Sequence, residues 1–208
     1  MIIKATSCAQ TAAAPAAARC PNCGQLGTFE GLPGAPDWVL DSQILVGHRR
    51  CPNTECRTHL FVVLKNQKIL RSYPALRIDF DKTNIPQPVV SALEQAITCH
   101  ANECFIAGAI MVRKTLEELC RDRNAQGKDL KQRIRDLETK VILPKELLDG
   151  LDDLRLLGND AAHIESREYD QMGREEVEIG IEFTKEVLKA TYQYSALLNR
   201  LRGLKKTP

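Results

Sequence analysis

Two short cysteine motifs constrain the fold of this chain more than any other feature. They are Cys20-Pro-Asn-Cys23-Gly and Cys51-Pro-Asn-Thr-Glu-Cys56, separated by a stretch long enough for a hairpin. A tetrahedral metal ion needs two close pairs of thiolates from different directions, and a short turn between two cysteines aims each pair at one point. The spacing therefore predicts a structural zinc site that helps to fold the first third of the chain.

These cysteines have uses other than structural zinc binding. A disulfide needs an oxidising compartment, and residues 1–18 are too weakly apolar for a secretory signal. A catalytic zinc would keep one ligand position open, whereas four thiolates close the site. His59 follows Cys56 closely and could replace a cysteine, although four well-spaced thiols make it superfluous. Structural zinc is preferred, with a disulfide or a redox pair as the alternatives.

The composition is that of a soluble globular protein large enough for one ordinary domain and a small one. Of 208 residues, 27% are charged and 43% are hydrophobic. No apolar run approaches the ~20 residues of a membrane span. The net charge of +2 predicts no polyanionic partner by itself, but residues 1–84 hold ten Lys and Arg against six Asp and Glu. We expect a cytoplasmic protein without membrane contact, mildly basic in its first part.

The hydrophobic pattern predicts an α+β fold, with a small N-terminal zinc-ribbon β module followed by an all-α bundle. Residues 1–17 are Ala-rich and predict a flexible tail. Residues 18–74 are strand-like around the cysteine motifs and predict a three-stranded sheet. Residues 75–87 contain several prolines and predict a linker. Residues 88–204 show helical periodicity with short connections, which predicts an antiparallel bundle.

A polar segment follows the apolar residues of one predicted helix. It reads Leu154-Arg155-Leu156-Leu157-Gly158-Asn159-Asp160-Ala161-Ala162-His163, and Gly158 and Asn159 are residue types that commonly end a helix. An Asn–His pair inside a bundle is costly unless its hydrogen bonds are met. The residue types favour a capping and packing motif, and the alternative is a functional pocket.

Three stretches of the bundle resemble an uncharacterised branch of the HEPN superfamily. They are Pro86 with Glu94-Gln95-Ala96, then Val112-Arg113-Lys114-Thr115-Leu116-Glu117, and Leu157-Gly158-Asn159-Asp160-Ala161-Ala162-His163. The resemblance covers most of residues 20–204, including the order of the two modules. Some of these bacterial domains follow a zinc ribbon, and others are fused to type I restriction subunits. It implies a HEPN-like bundle of four or five helices, a homodimer, and a role in bacterial defence or stress response.

The same resemblance implies a metal-independent ribonuclease as the alternative function. Active HEPN members carry an Arg-x4-6-His motif, in which the His moves a proton and the Arg stabilises the charged phosphorane. His163 matches that His and Asn159 matches the adjacent Asn, but Gly158 occupies the Arg position and can stabilise no charge. Arg155 or Arg113 would have to supply the positive charge.

Arg113 has two interpretations. It lies on an apolar stripe, so its guanidinium is expected to turn into the bundle and to need a carboxylate, for which Glu94 or Glu117 is available. The preferred interpretation is an internal Arg–Glu network that fixes helix register. The alternative is one anion-binding pocket, formed by Arg113 together with Arg155, Asn159 and His163.

Basic residues beside the second cysteine motif are the candidates for an interaction surface. Arg49 and Arg50 precede Cys51, in the region where zinc ribbons commonly meet nucleic acid or protein. No nucleotide-binding loop, nucleophile elbow or pair of catalytic carboxylates is recognisable. The sequence therefore predicts an interaction module for RNA, DNA or a partner protein. A purely structural or oligomerisation role is the third interpretation.

Overall fold

The computed structural model describes residues 7–40, 44–160 and 172–204, with all their side chains except those of residues 156–160. The chain divides between Asp79 and Phe80 into two compact units, here called the sheet unit and the helical unit. The first is built on an antiparallel sheet and the second on helices. The predicted α+β fold, with an N-terminal β module and a helical C-terminal part, is confirmed.

Seven strands form the sheet in the described residues. They are β1 Cys8–Thr11, β2 Ala16–Arg19, β3 Leu26–Gly31, β4 Asp37–Leu40, β5 Ile44–Arg50, β6 His59–Lys65 and β7 Lys68–Tyr73. Strand β5 is central, because it pairs with β6 along its whole length and with both β4 and β3. Strand β7 extends the sheet beyond β6, while β1 pairs with β4 and β2 with β3.

The predicted three-stranded sheet and the predicted tail over residues 1–17 are both corrected by the structure. Residues 8–11 and 16–19 are strands, and residues 1–6 lie outside the described residues. Ala16 and Ala18 are buried in the core of the sheet unit, where Ala16 lies directly opposite Phe29. Small side chains fit beside this large ring. Alanine is depleted in strands generally, which is why composition concealed β2.

One face of the sheet carries the core of the unit. In β6, Leu60, Val62 and Leu64 are buried, whereas the alternate residues His59 and Phe61 are exposed. The buried side chains pack with the buried residues of β2 and β3. Because successive side chains of a strand point to opposite faces, the other face of β5, β6 and β7 is left toward solvent.

A buried ion pair supports the same face. Arg49 Nη1 and Nη2 donate to Asp37 Oδ1 and Oδ2 at 2.7 and 2.6 Å, and both side chains are fully buried. Ala14, between β1 and β2, donates its N–H to Asp37 Oδ2 at 3.0 Å and accepts from Arg49 Nε at 2.8 Å. Gly47 makes the room, because a Cβ there would overlap Asp37 Oδ1. The pair thus ties β4, β5 and the β1–β2 connection together.

The helical unit is arranged around its second helix. The helices are α1 Gln87–Ala101, α2 Phe105–Asp122, α3 Leu130–Leu137, α4 Lys145–Asp160, α5 Arg174–Leu188 and α6 Tyr194–Leu204, with a π-helical turn at Lys189–Gln193 that joins the last two. Helix α2 packs against α1, α3, α4 and α5, as its apolar sequence predicted. No described helix is both long enough and apolar enough to cross a membrane.

The start of the bundle follows the sequence prediction, but the predicted interruption at Gly158 and Asn159 is wrong. Helix α1 begins at Gln87 with Pro88 in its first turn, where a missing N–H costs nothing. Helix α4 continues through both predicted breakers to Asp160. A single glycine costs a helix only about 1 kcal/mol relative to alanine. That cost is small for a helix anchored by buried Leu151 and Leu154.

Replacing Asp37 with alanine tests the buried pair. The substitution leaves the Arg49 guanidinium buried without a counter-charge, so we expect the free energy of unfolding of the sheet unit to fall by about 3–5 kcal/mol. Urea denaturation followed by fluorescence of Trp38, the single tryptophan, measures the change. Arg50→Ala is the control, since this neighbour is exposed and should cost less than about 0.5 kcal/mol. Equal losses in the two variants would contradict the role of the pair.

Candidate metal centre and exposed sheet face

The four predicted cysteines converge just beyond the ends of β2 and β5. The Sγ atoms of Cys20 and Cys56 are 3.7 Å apart, and those of Cys23 and Cys51 are 3.8 Å apart. All four sulfurs lie within 4.8 Å of one another. A Zn–S bond of about 2.3 Å places the corners of a regular tetrahedron about 3.8 Å apart. The sulfur positions therefore fit a metal ion of this size.

Each cysteine pair lies on a tight turn. In the first turn, Gly24 N donates to the Cys20 carbonyl at 3.0 Å, and Gly24 has φ +74°. In the second, Arg57 N donates to the Asn53 carbonyl at 2.9 Å, and Arg57 has φ +48°. Glycine adopts this left-handed conformation without penalty, and arginine adopts it at a cost of roughly 1–2 kcal/mol. The turns bring both cysteines of a pair to the same side.

The two turns also support each other through a reciprocal pair of asparagines. Asn22 Nδ2 donates to Cys56 Sγ at 3.4 Å, and Asn53 Nδ2 donates to Cys23 Sγ at 3.8 Å. A donor aimed at sulfur favours the thiolate over the thiol and orients it as a ligand. The sequence analysis missed these supporting residues. Their signal was the Cys-Pro-Asn that begins both motifs.

The thiols of the cluster differ in acidity. Hydrogen bonds with Thr58, whose Oγ1 is 3.1 Å from the sulfur, and with Asn22 lower the pKa of Cys56 to about 6. Burial, followed by the neighbouring sulfurs, raises the pKa of Cys51 to about 12. Hydrogen bonds therefore favour the thiolate at Cys56, whereas burial disfavours it at Cys51. A divalent cation bound by the four sulfurs would stabilise their thiolates, so the donor set suits a metal ion.

Neither a disulfide nor a ligand role for His59 is seen among these residues in the described structure. All four cysteines are free thiols, and 3.7 Å between Cys20 and Cys56 is far beyond a disulfide bond of about 2.05 Å. His59 lies against another histidine instead of the sulfurs, with its Nδ1 2.8 Å from His48 Nε2. Within the described ranges, the group of metal-ligating side chains consists of the four cysteines.

The exposed side of β4 to β7, opposite the core, is called the outer face below. It carries aromatic and basic side chains in alternation with the buried ones. By the strand registers its members are Trp38, Leu40, Ile44, Val46, His48, Arg50, His59, Phe61, Val63, Lys65, Lys68, Arg71 and Tyr73. Phe61 and Tyr73 are 59% and 76% exposed and lie opposite each other on β6 and β7.

Arg49 and Arg50 fall on opposite faces of the sheet. Arg49 is buried in its pair with Asp37, so its predicted role in ligand binding is corrected to a structural one. Arg50 is exposed on the outer face, opposite His59 of β6 and Glu30 of β3. Adjacent residues of a strand point to opposite faces, so only one of the two arginines can reach a ligand on this surface.

The predicted catalytic residues lie partly outside the described structure. His163 is outside the described residues, and so is the side chain of Asn159, so their roles stay predictions. Arg155 Nε donates to Asp152 Oδ1 at 2.9 Å, one turn earlier on α4. This bond lowers the pKa of the Asp152 carboxyl. Arg155 thus has a carboxylate partner on its own helix.

One pair of the predicted Arg–Glu network lies along a helix. Arg113 Nε is 3.5 Å from Glu117 Oε1, both on α2, and the Arg113 side chain is 23% exposed. Such i,i+4 pairs contribute only about 0.3–0.5 kcal/mol. Glu94 forms an ion pair with Lys82, which precedes α1. The predicted anion-binding pocket stays a prediction.

The helical unit contains the part of the chain that matches a known family. Residues 94–206 match the family model described as Domain of unknown function (DUF4145). The chain belongs to the DUF4145 family. The match covers more than half of the chain, and the cysteine motifs of this DUF4145 protein lie before the matched region. No curated protein and no solved structure matches it significantly.

Metal analysis of the purified, reduced DUF4145 protein tests the cysteine cluster. We expect one metal ion per chain, and loss of that ion in Cys23→Ser and Cys56→Ser because three thiolates leave the tetrahedron open. Cys104→Ser is the control, since this exposed cysteine lies in the helical unit and should keep the metal. Full metal content in Cys56→Ser would contradict the assignment.

The hydrogen bond from Asn22 to the Cys56 sulfur gives a separate prediction. Asn22→Ala removes the donor to Cys56 Sγ while leaving all four thiolates in place. Loss of such an outer contact typically weakens metal affinity about 10–100-fold. Competition with a chromophoric chelator measures the affinity. Glu55→Ala is the matched control, because it changes an exposed residue between Cys51 and Cys56, and it should leave metal affinity unchanged.

Proposed function

We propose that this protein is a zinc-stabilised module that binds nucleic acid through the outer face of its sheet unit. The observation that carries the proposal is the placement of charge on this face. Arg49 is neutralised inside the unit, whereas Arg50, Lys65 and Lys68 are exposed on the outer face. A surface of clustered cations is what a polyanion requires.

The ligand set supports zinc as the ion and a structural role for it. Tetrahedral sets of soft thiolates favour zinc over hard cations such as calcium or magnesium. Four protein ligands leave no open position for a substrate or an activated water. The free energy of zinc binding then contributes to the folding of a small unit whose own core is limited.

The β6–β7 hairpin places two lysines in an arrangement that does not stabilise the sheet. Lys65 and Lys68 lie directly opposite each other and are both exposed. Like charges opposed in this way destabilise a strand pair. The turn between them holds Asn66 and Gln67 at φ +49° and +62°, so the two lysines are kept close at its base. A phosphate backbone at the hairpin would neutralise both.

Two arginines extend the basic surface away from the hairpin. Arg71 lies opposite Val63 on the same face, and Arg50 lies at the end of β5 nearest the cysteine cluster. Glu30 opposes Arg50 and supplies a negative charge there. The face as a whole keeps a surplus of cations. This surplus supports nucleic acid over a partner protein with mixed surface charge.

The proposal assigns no catalysis to the helical unit. The family description names no activity. The ribonuclease alternative depends on His163, and within the described residues no geometry favours it over simple binding. The resemblance to the HEPN superfamily supports nucleic acid as the partner class by analogy, because active members of that superfamily act on RNA.

Charge-removing substitutions on the outer face test the proposal. Lys65→Ala with Lys68→Ala, and separately Arg50→Ala, should weaken binding to a mixed-sequence oligonucleotide. Each should also lower the slope of log affinity against log salt by about 1 per lost phosphate contact. Fluorescence anisotropy across a salt series measures both quantities.

Arg200→Ala provides the matched control, since it removes an exposed cation from α6 of the helical unit. Its affinity and salt slope should equal those of the unaltered protein. If only Arg200→Ala lost affinity for the oligonucleotide, the interface would be assigned to the helical unit. Absence of binding to any nucleic acid at low salt would overturn the proposed function and leave a protein partner as the ligand to seek.

A further inference from the structure

Three aromatic residues form a row across the outer face. His48 of β5 lies opposite Phe61 of β6, and Phe61 lies opposite Tyr73 of β7. Neighbouring strands are about 4.8 Å apart, so the three side chains stand side by side on the sheet. His48 and Phe61 are stacked, with ring centroids 4.6 Å apart and an angle of 10° between the ring planes.

The stack leaves one side of the Phe61 ring uncovered. His48 covers one face of this ring, yet Phe61 is still 59% exposed, so its other face is open. Opposite Phe61 on β7, Tyr73 presents a second ring that is 76% exposed. Flat rings with open faces form favourable contacts with other planar groups. Phe61 and Tyr73 therefore provide a platform on which a planar ligand can stack.

The Phe61 part of the platform is positioned before a ligand arrives. His48 Nε2 and His59 Nδ1 are 2.8 Å apart, so one imidazole donates a hydrogen bond to the other. His48 is fixed by this bond on one side and by the Phe61 stack on the other. Rings that are already fixed lose less conformational entropy on binding.

We propose that the outer face binds single-stranded nucleic acid, with an unpaired base stacked on Phe61 and adjoining phosphates at Arg50 and the Lys65–Lys68 pair. This inference rests on the proposed function and adds the form of its ligand. In a duplex each base is covered on both sides by its neighbours and cannot reach a protein ring, whereas single strands stack their bases on aromatic side chains.

An acidic peptide is the competing ligand, and the outer face favours nucleic acid over it. Carboxylates would neutralise the lysines of the hairpin, but they would leave the open ring of Phe61 without a planar partner. Each nucleotide carries both a phosphate and a base with two π faces. RNA and DNA single strands share this chemistry, so the inference covers both.

The experiment compares strands and duplex on the full-length, metal-loaded protein. The probes are a mixed-sequence DNA strand of about 12 nucleotides, the same sequence as RNA, and the DNA duplex. We expect the better-bound strand to have at least about 10-fold higher affinity than the duplex by fluorescence anisotropy. Phe61→Leu should weaken strand binding by about 10-fold or more, and Phe61→Tyr should restore it because the ring returns.

The controls separate this inference from the proposed function. Tyr194→Leu removes a 48% exposed ring from α6 and should change nothing. Metal content and circular dichroism establish that Phe61→Leu is folded. Equal affinity for strand and duplex, or unchanged binding by folded Phe61→Leu, overturns the inference while the proposed function stands. Absence of binding by all probes at low salt overturns both.

Two further comparisons identify the chemistry of the ligand. A preference for the RNA or the DNA strand supports the inference and identifies the sugar. Polyglutamate of matched charge should bind more weakly than either strand and should be insensitive to Phe61→Leu. Polyglutamate binding as tight as strand binding would overturn the inference, because charge alone would then account for the affinity.

Discussion

The main constraint on the sheet unit is the convergence of four sulfur atoms, those of Cys20, Cys23, Cys51 and Cys56, within 4.8 Å of one another. That constraint governs the sheet unit, because the two cysteine motifs follow β2 and β5 and hold those strand ends at a fixed separation. Hydrogen bonds lower the pKa of Cys56, whereas burial raises that of Cys51, and a divalent cation would stabilise the thiolates of the cluster. Strand β5 is held by the cysteine cluster at one end, by the Arg49–Asp37 pair within the sheet and by pairing with β6 along its length.

Local signals in the sequence were sufficient for the cysteine cluster and for most helices. The spacing of Cys20 and Cys23 already encodes a turn, and the period of α2 already encodes a helix with several packed faces. Signals that depend on distant partners were not readable. The burial of Arg49 requires an aspartate on the neighbouring strand and a glycine close to Arg49, and the sequence alone does not indicate which residues pair. The Ala-rich strand β2 had no apolar alternation, and the hydrogen bonds from the asparagines to the sulfurs needed the two turns to be placed face to face.

The sheet separates its buried core from its exposed face by the simplest property of a strand, which is the alternation of its side chains. Along β6 the buried leucines and valine hold the unit together, while the residues between them are free to present rings and cations. Arg49 and Arg50 show the same division within two consecutive positions. A basic residue near a ligand site is therefore informative only after its strand face is known. For this chain, that distinction reassigns one arginine to the interior and leaves the other on the surface.

The π-helical turn at Lys189–Gln193 has a consequence for comparing this chain with its relatives. Such a turn accommodates one extra residue without ending the helix, and each residue of a helix advances the side-chain direction by about 100°. In an ungapped alignment, a relative that lacks the turn would be shifted by one residue after it. Interior positions of that relative would then be aligned with exposed leucines of this chain, such as Leu197 and Leu201. A single-residue gap between Leu188 and Tyr194 restores the correspondence. Position-by-position comparison of the last helix is meaningful only when that gap is placed.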